Sequence, residues 1–106
     1  MTSGVYCIKN KMNGKCYIGS SYNIEKRLIA HRKYLLANKD TKKLQIDWNA
    51  YGADAFLFEI LELVRMSEIL VCEQKWIDKC RASIDGYNTR KKAAKMLFSN
   101  NERKAR

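Results

Sequence analysis

Near the start of the chain, apolar strand-forming residues stand on either side of a short polar turn. Val5, Tyr6 and Ile8 on one arm and Tyr17 and Ile18 on the other suit a pleated surface, and Asn13-Gly14 between them supplies the positive φ of tight hairpin turns. The pattern predicts a hairpin in which Gly4-Val5-Tyr6 mirrors Tyr17-Ile18-Gly19. With Tyr6 opposite or diagonal to Tyr17, both phenols leave one face of the sheet within reach of each other. Ordinary cross-strand packing accounts for such a pair as readily as chemistry does.

Helical periodicity follows. Ser20 and Ser21 form an exit turn, and Asn23 is placed to cap a helix to about Leu36, with Ile24, Leu28, Ala30 and Leu35 at roughly helical spacing. Arg27 and His31, four residues apart, share a flank of that stripe. A surface cation and a boundary histidine explain them individually. Asn38-Lys39-Asp40 breaks the pattern. Asp40 or Thr41 then caps a second helix with Leu44, Trp48 and Tyr51 on one side and Gly52 as its stop. Ala55 to Val64 is apolar on both alternating faces apart from Glu59 and Glu62, which reads as a central strand covered by helices on at least one side. Phe56, Phe58 and Ile60 point one way, and Leu57, Leu61 and Leu63 the other. Ser67 caps a third helix from Glu68 to about Lys79, and Asp85-Gly86 turns the chain into Tyr87-Asn88. The expected fold is α+β, a three-stranded antiparallel sheet flanked by helices.

One position in the third helix breaks the pattern without ending the helix. Glu73 has Ile69 and Leu70 before it and Trp76 and Ile77 after it at helical spacing, so it lies in the apolar stripe. An unpaired carboxylate buried there costs several kcal/mol, on the order of the transfer penalty for a charge. It needs a cation: Arg27, a lysine or a divalent metal. A structural Glu–Arg pair and a metal-binding or catalytic carboxylate both satisfy that requirement.

Composition narrows the setting. A length of 106 residues with 46% apolar residues suits one modest core. No stretch has the apolar length of a membrane span or a signal peptide, so a soluble intracellular protein with reduced thiols is expected. Cys7, Cys16, Cys72 and Cys80 read as buried thiols. Cys7 and Cys16 could face each other across the hairpin and join on oxidation, whereas one histidine and no C-x-x-C spacing disfavour zinc. The formal charge of +10 is concentrated after residue 89, where Arg90, Lys91, Lys92, Lys95, Arg103, Lys104 and Arg106 face only Glu102. Such an excess favours a polyanionic partner. The division expected is 1–89 for the folded domain and 90–106 for a basic helix or linker.

Taken in order, Gly4-Val5-Tyr6, Tyr17-Ile18-Gly19, Arg27, His31, Tyr51-Gly52, Glu73 and the Asn88 of Gly86-Tyr87-Asn88 resemble the GIY-YIG nuclease family, and closely the catalytic domain of intron-encoded homing endonucleases. The resemblance covers residues 3 to about 89. It departs in Val5, where the signature has isoleucine, and in the single histidine. It implies metal-dependent hydrolysis of phosphodiester bonds in double-stranded DNA, with Glu73 binding one Mg²⁺ or Mn²⁺ ion. Tyr6 would act at the attacking water, Arg27 on the phosphorane charge, Tyr17 and His31 on the orientation of water and phosphate, and Asn88 on positioning. A phenol titrates above neutrality, so Tyr6 as base calls for a nearby metal ion and Arg27 to favour the phenolate, with His31 relaying. Arg90, Lys91, Lys92 and Lys95 would join Arg27 in contacting DNA. The expected state is a monomer, with base-specific recognition supplied by a separate region. A non-catalytic nucleic-acid-binding module and a repair-type incision nuclease are the alternatives on the same fold.

Overall fold

The computed structural model describes residues 2–89. The basic segment from Arg90 to Arg106, with the expected DNA contacts Arg90, Lys91, Lys92 and Lys95, lies outside the described residues. Three strands, β1 (Gly4–Asn10), β2 (Cys16–Ser21) and β3 (Phe56–Leu63), form an antiparallel sheet in the order β2-β1-β3. The helices are α1 (Ile24–Leu36), α2 (Lys42–Tyr51) and α3 (Ile69–Lys79).

The hairpin forms as its alternation requires. Gly14 adopts φ +77° and donates its N–H to the Asn10 carbonyl at 2.8 Å, while Asn13 Oδ1 accepts the Lys15 N–H at 2.9 Å. Val5 pairs with Ser20, Tyr6 with Gly19 and Ile8 with Tyr17, so the two tyrosines of the signature are diagonal neighbours. Alternation then divides the side chains between two cores. Tyr6 and Ile8 enter a cluster with Ile24 and Leu35 of α1, Leu44 and Trp48 of α2, Phe56 and Tyr87. Val5, Cys7 and Ile18 enter a second cluster with Cys72 and Ile77 of α3 and Ala82. Helices thus cover both faces of the sheet, and each fully buried aliphatic side chain contributes about 1.5–3 kcal/mol of transfer free energy.

Several expectations are corrected. The Ala55–Val64 segment supplies an edge strand, and β1 is the central one. Periodicity reports burial on two faces and carries no information on how many neighbours a strand has. A register shift opposite Val5 and Tyr6 lets Leu61 pack into the second core, while Leu57, Ile60 and Leu63 are exposed. Ala55 belongs to a 3-10 turn (Ala53–Ala55) that precedes the strand. Ser67 sits inside another 3-10 turn (Met66–Glu68), and the helix begins at Ile69 with Glu68 at the cap position. Tyr51 leaves the apolar stripe of α2 and is exposed, whereas Gly52 stops that helix at φ +87° with its N–H on the Trp48 carbonyl. Cys7 and Cys72 are buried, but Cys16 and Cys80 are half-buried, and all four thiols are free.

Candidate active site

Gly19 explains how Tyr6 is held. Its Cα faces the Tyr6 ring so closely that a β-carbon built there would lie 2.5 Å from Cζ. Only a residue without a side chain lets the phenol cross β2 toward the outer edge of the sheet. Tyr6 is 1% exposed, and its hydroxyl is 2.8 Å from His31 Nε2. The Tyr17 ring lies 6.4 Å from that of Tyr6 and 5.3 Å, edge-on, from that of His31. One helical turn before His31 on α1, Arg27 lies at the exposed side of the site, and its charge bears on the Tyr6 hydroxyl. α1 is set at this height by Asn23, whose side chain accepts the Lys26 N–H at 3.1 Å.

Asp40 completes the line. Its Oδ2 is 2.8 Å from His31 Nδ1, and both side chains are 3% exposed. Oδ1 accepts the Thr41 N–H at 2.6 Å, and the Asp40 N–H donates to Gln45 Oε1 at 3.0 Å. Burial raises the Asp40 pKa, but hydrogen bonds from His31 and Thr41 outweigh it and the carboxyl titrates below its ordinary range. Tyr6 moves the other way. Burial, then the neighbouring Tyr17, push its pKa well above the ordinary phenol value, and Arg27 offsets only part of the shift. A resting phenolate was expected from a metal ion and Arg27 acting together; Arg27 by itself does not outweigh burial. Arg27 itself is held down by burial, but the facing phenols and Asp40 leave it more firmly protonated than usual.

Glu73 comes from the opposite face of the sheet. It projects from α3, is 9% exposed, and accepts a hydrogen bond on Oε1 from the Ser20 hydroxyl. No ion pair to it occurs among the described residues, so the structural Glu–Arg pair is not formed. Burial raises the Glu73 pKa, and the Ser20 hydrogen bond offsets part of this. Its charge is still felt at Tyr6. The two half-sites meet across the Gly19–Ser20 step of β2, where no further strand pairs among the described residues.

Asn88 fixes that step. Its Oδ1 accepts the Ile18 N–H at 2.8 Å and its Nδ2 donates to the Ile18 carbonyl at 2.9 Å. Both ends of the amide are spent on backbone, so Asn88 acts by positioning β2. Tyr87 N–H adds a bond to the Cys16 carbonyl at 2.9 Å, and the chain approaches so closely that a β-carbon on Gly86 would lie 2.9 Å from the Ala82 carbonyl oxygen. Tyr6, Tyr17, Arg27 and His31 are therefore gathered on one face, Glu73 stands across the strand, and Asn88 clamps the strand between them.

A metal ion fits the Glu73 half-site in one respect: a buried carboxylate, with a hydroxyl beside it and no protein cation among the described residues, is an oxygen-donor position short of positive charge. No group of three or more His, Cys, Asp or Glu side chains arranged to hold a metal occurs among the described residues. A hard cation bound by one carboxylate and completed by water and phosphate oxygens, as Mg²⁺ commonly is, is the chemistry that this donor set suits.

Asp40 and Ser20 were not foreseen as site residues. Asp40 reads as a helix cap and Ser20 as a turn residue in the sequence. The signal available was strand alternation, which puts Ser20 two residues beyond Ile18 on the α3 face; nothing local marks Asp40 as the partner of His31.

Comparison with known proteins gives a consistent picture. The family model described as the GIY-YIG catalytic domain matches residues 2–88. Intron-associated endonuclease 1 of Enterobacteria phage T4 is 38% identical over 91 residues, which is 83% of this chain and 37% of that protein. The chain thus spans little more than a third of this relative's length. A mutant of the catalytic domain of intron endonuclease I-TevI superposes with a TM-score of 0.80 at 35% identity, covering 90% of this chain and all of that one. The catalytic domain of homing endonuclease I-TevI gives 0.77 at 36% identity over 83% and 98% of the two chains.

Proposed function

The chain belongs to the GIY-YIG catalytic-domain family, whose nucleases are generally metal-dependent, and on that basis we propose that it is the cleavage unit of a homing-type DNA endonuclease. The observation that carries the proposal is the juxtaposition across β2: a buried carboxylate without an ion pair among the described residues on one side, and a phenol held by His31 with the charge of Arg27 nearby on the other. Phosphodiester hydrolysis requires an activated water, positive charge on the phosphorane and stabilisation of the leaving oxygen. Tyr6 and His31 are suited to handle the proton of the water, Arg27 to offset charge on the non-bridging oxygens, and Tyr17 to orient the phosphate. Glu73 would hold one divalent ion, Mg²⁺ or Mn²⁺, which when bound supplies charge to the scissile phosphate and the leaving oxygen.

The substrate is double-stranded DNA cut by a monomer, with sequence selection by a region outside this fold. Arg90, Lys91, Lys92 and Lys95 are placed in sequence to bind phosphates, which give affinity without reading bases. A binding module of the same fold has no use for a carboxylate facing a polyanion, and the solved structures it resembles at 35% and 36% identity are catalytic domains of homing enzymes. Incubation with supercoiled plasmid tests the proposal: nicking with Mg²⁺ and none with EDTA is expected. DNA bound but uncut with Mg²⁺ or Mn²⁺ would establish the binding module instead.

A further inference from the structure

Asp40 lies outside every motif that identified the site, yet it is bound to the site's histidine at nearly complete burial. We propose that Asp40 is a positioning residue of the cleavage site, holding the His31 proton on Nδ1 so that Nε2 can take the proton of the Tyr6 hydroxyl. The inference rests on the nuclease reading and adds a third member to its proton path.

The argument is one of donors and acceptors. The carboxylate of Asp40 can only accept, and its Oδ2 lies 2.8 Å from Nδ1, so Nδ1 carries the hydrogen. In the neutral ring Nε2 then has a lone pair, and the Tyr6 hydroxyl 2.8 Å away donates to it. The Arg27 guanidinium by the same hydroxyl can only donate, so it offers no acceptor to compete with His31 for the phenolic proton. The charged and titratable groups facing the imidazole are Tyr6 from β1, Tyr17 from β2, Arg27 from its own helix and Asp40 from the α1–α2 connection. Among the described residues, Asp40 is the one anion that touches the ring.

Asp40 is also held independently of the histidine. Asn38 reverses the chain at φ +62°, the Asp40 N–H is bound by Gln45, and Gln45 Nε2 donates to the Leu35 carbonyl at 2.9 Å. The carboxylate is thereby fixed before it engages the ring.

In the step that follows, water gives a proton to Tyr6 Oη as the Tyr6 proton passes to His31 Nε2. The water oxygen bonds to phosphorus, the phosphorus–ester oxygen bond breaks, and the leaving alkoxide takes a proton from solvent. The imidazolium formed lies against the Asp40 carboxylate and later returns its proton through Tyr6 to solvent. Tyr6 need not be ionised at rest. This removes the conflict between its raised pKa and its place at the water.

His31 is the sole histidine of the chain, so ¹⁵N spectra of histidine-labelled protein contain one imidazole. In its neutral form the parent imidazole should show a protonated Nδ1 and an unprotonated Nε2. In Asp40→Asn the new amide donates to Nδ1, the hydrogen moves to Nε2, and nicking with Mg²⁺ should fall about a hundredfold or more, the lower range for general acid–base catalysis. Asp40→Glu should recover part of the rate together with the Nδ1–H form. A parent with its hydrogen on Nε2 overturns the inference whatever the variants do, as does an Asp40→Asn protein that nicks at the parental rate. If Asp40→Asn fails to fold, the parental spectrum alone decides. A parent with the Nδ1–H form that never cuts DNA would refute the nuclease reading and leave the geometry of Asp40 intact.

Discussion

Gly19→Ala is the substitution that most directly tests the placement of Tyr6. The added methyl would lie 2.5 Å from Tyr6 Cζ and 3.0 Å from Cε1, against a comfortable carbon–carbon separation of about 3.5–4.0 Å. Something must move by roughly 1 Å, the difference between those separations. The strands are poorly placed to yield, because Tyr6 pairs with Gly19 on one side and Ile60 on the other, and Ile18 is clamped by Asn88. The phenol must therefore swing away, out of reach of His31 and Arg27. Overpacking of this kind costs about 1–3 kcal/mol, and for a domain of this size each kcal/mol lowers the melting temperature by roughly 4–8 °C. A reacting group displaced by about 1 Å loses on the order of a hundredfold in rate. Thermal unfolding and plasmid nicking, measured well below the variant's melting point, should show a modest loss of stability with a disproportionate loss of cleavage. A folded Gly19→Ala protein that nicks within a few-fold of the parent would refute the claim that this glycine exists to admit the phenol.

Glu73→Gln should abolish nicking while raising the melting temperature in EDTA to or above the parental value. Burial raises the carboxyl pKa, so the stability associated with Glu73 is present below its unfolded pKa and is lost as pH rises through the folded value. The gap between variant and parent should therefore close on acidification; a gap that widens would contradict the assignment. Among the thiols, Cys16 should be alkylated first near pH 7.5, because the Cys7 hydrogen bond lowers it to about 7 while Cys7, Cys72 and Cys80 are raised. Peptide mapping after brief iodoacetamide treatment reads the order, and prior labelling of Cys80 would reverse it. Removing residues 90–106 should flatten the dependence of log K on log salt by about 0.9 for each phosphate that the segment neutralises. An unchanged slope would mean that the basic segment takes no part in binding.

How much of this was legible depends on whether the signal was local. The hairpin could be read because Asn13-Gly14 and the flanking alternation specify both turn and register within twenty residues. Glu73 stood out because a helix stripe makes its own exceptions visible. The rank of β3 was not legible, since an edge strand that sends Phe56 and Phe58 into one core and Leu61 into the other has the same apolar pattern as a central one. Ser67 had the chemistry of a cap, but the chain spends a 3-10 turn before α3 begins. Asp40 was the larger omission. Thr41, the other candidate, takes the cap position of α2 without a side-chain cap bond; Asp40 Oδ1 accepts the Thr41 N–H, and its Oδ2 serves His31 through a contact between elements that no spacing rule encodes. Asn88, by contrast, could be placed among the site residues from the resemblance, while its use of both amide ends on Ile18 belongs to tertiary structure.

The division of the site between two faces of β2 has a bearing on how such a protein is made. Tyr6, Tyr17, Arg27 and His31 all lie in the first third of the chain, whereas Glu73 and the Asn88 clamp come from the last part of the described residues. A ribosome that has released the hairpin and α1 has exposed four polar groups of the site and has not yet made Glu73. Both halves of the site stand together only with α3 packed on the sheet and Tyr87-Asn88 lying along β2. On the proposed function, a chain stopped before α3 would hold the hairpin and α1 parts of the site without Glu73 and would not cut DNA.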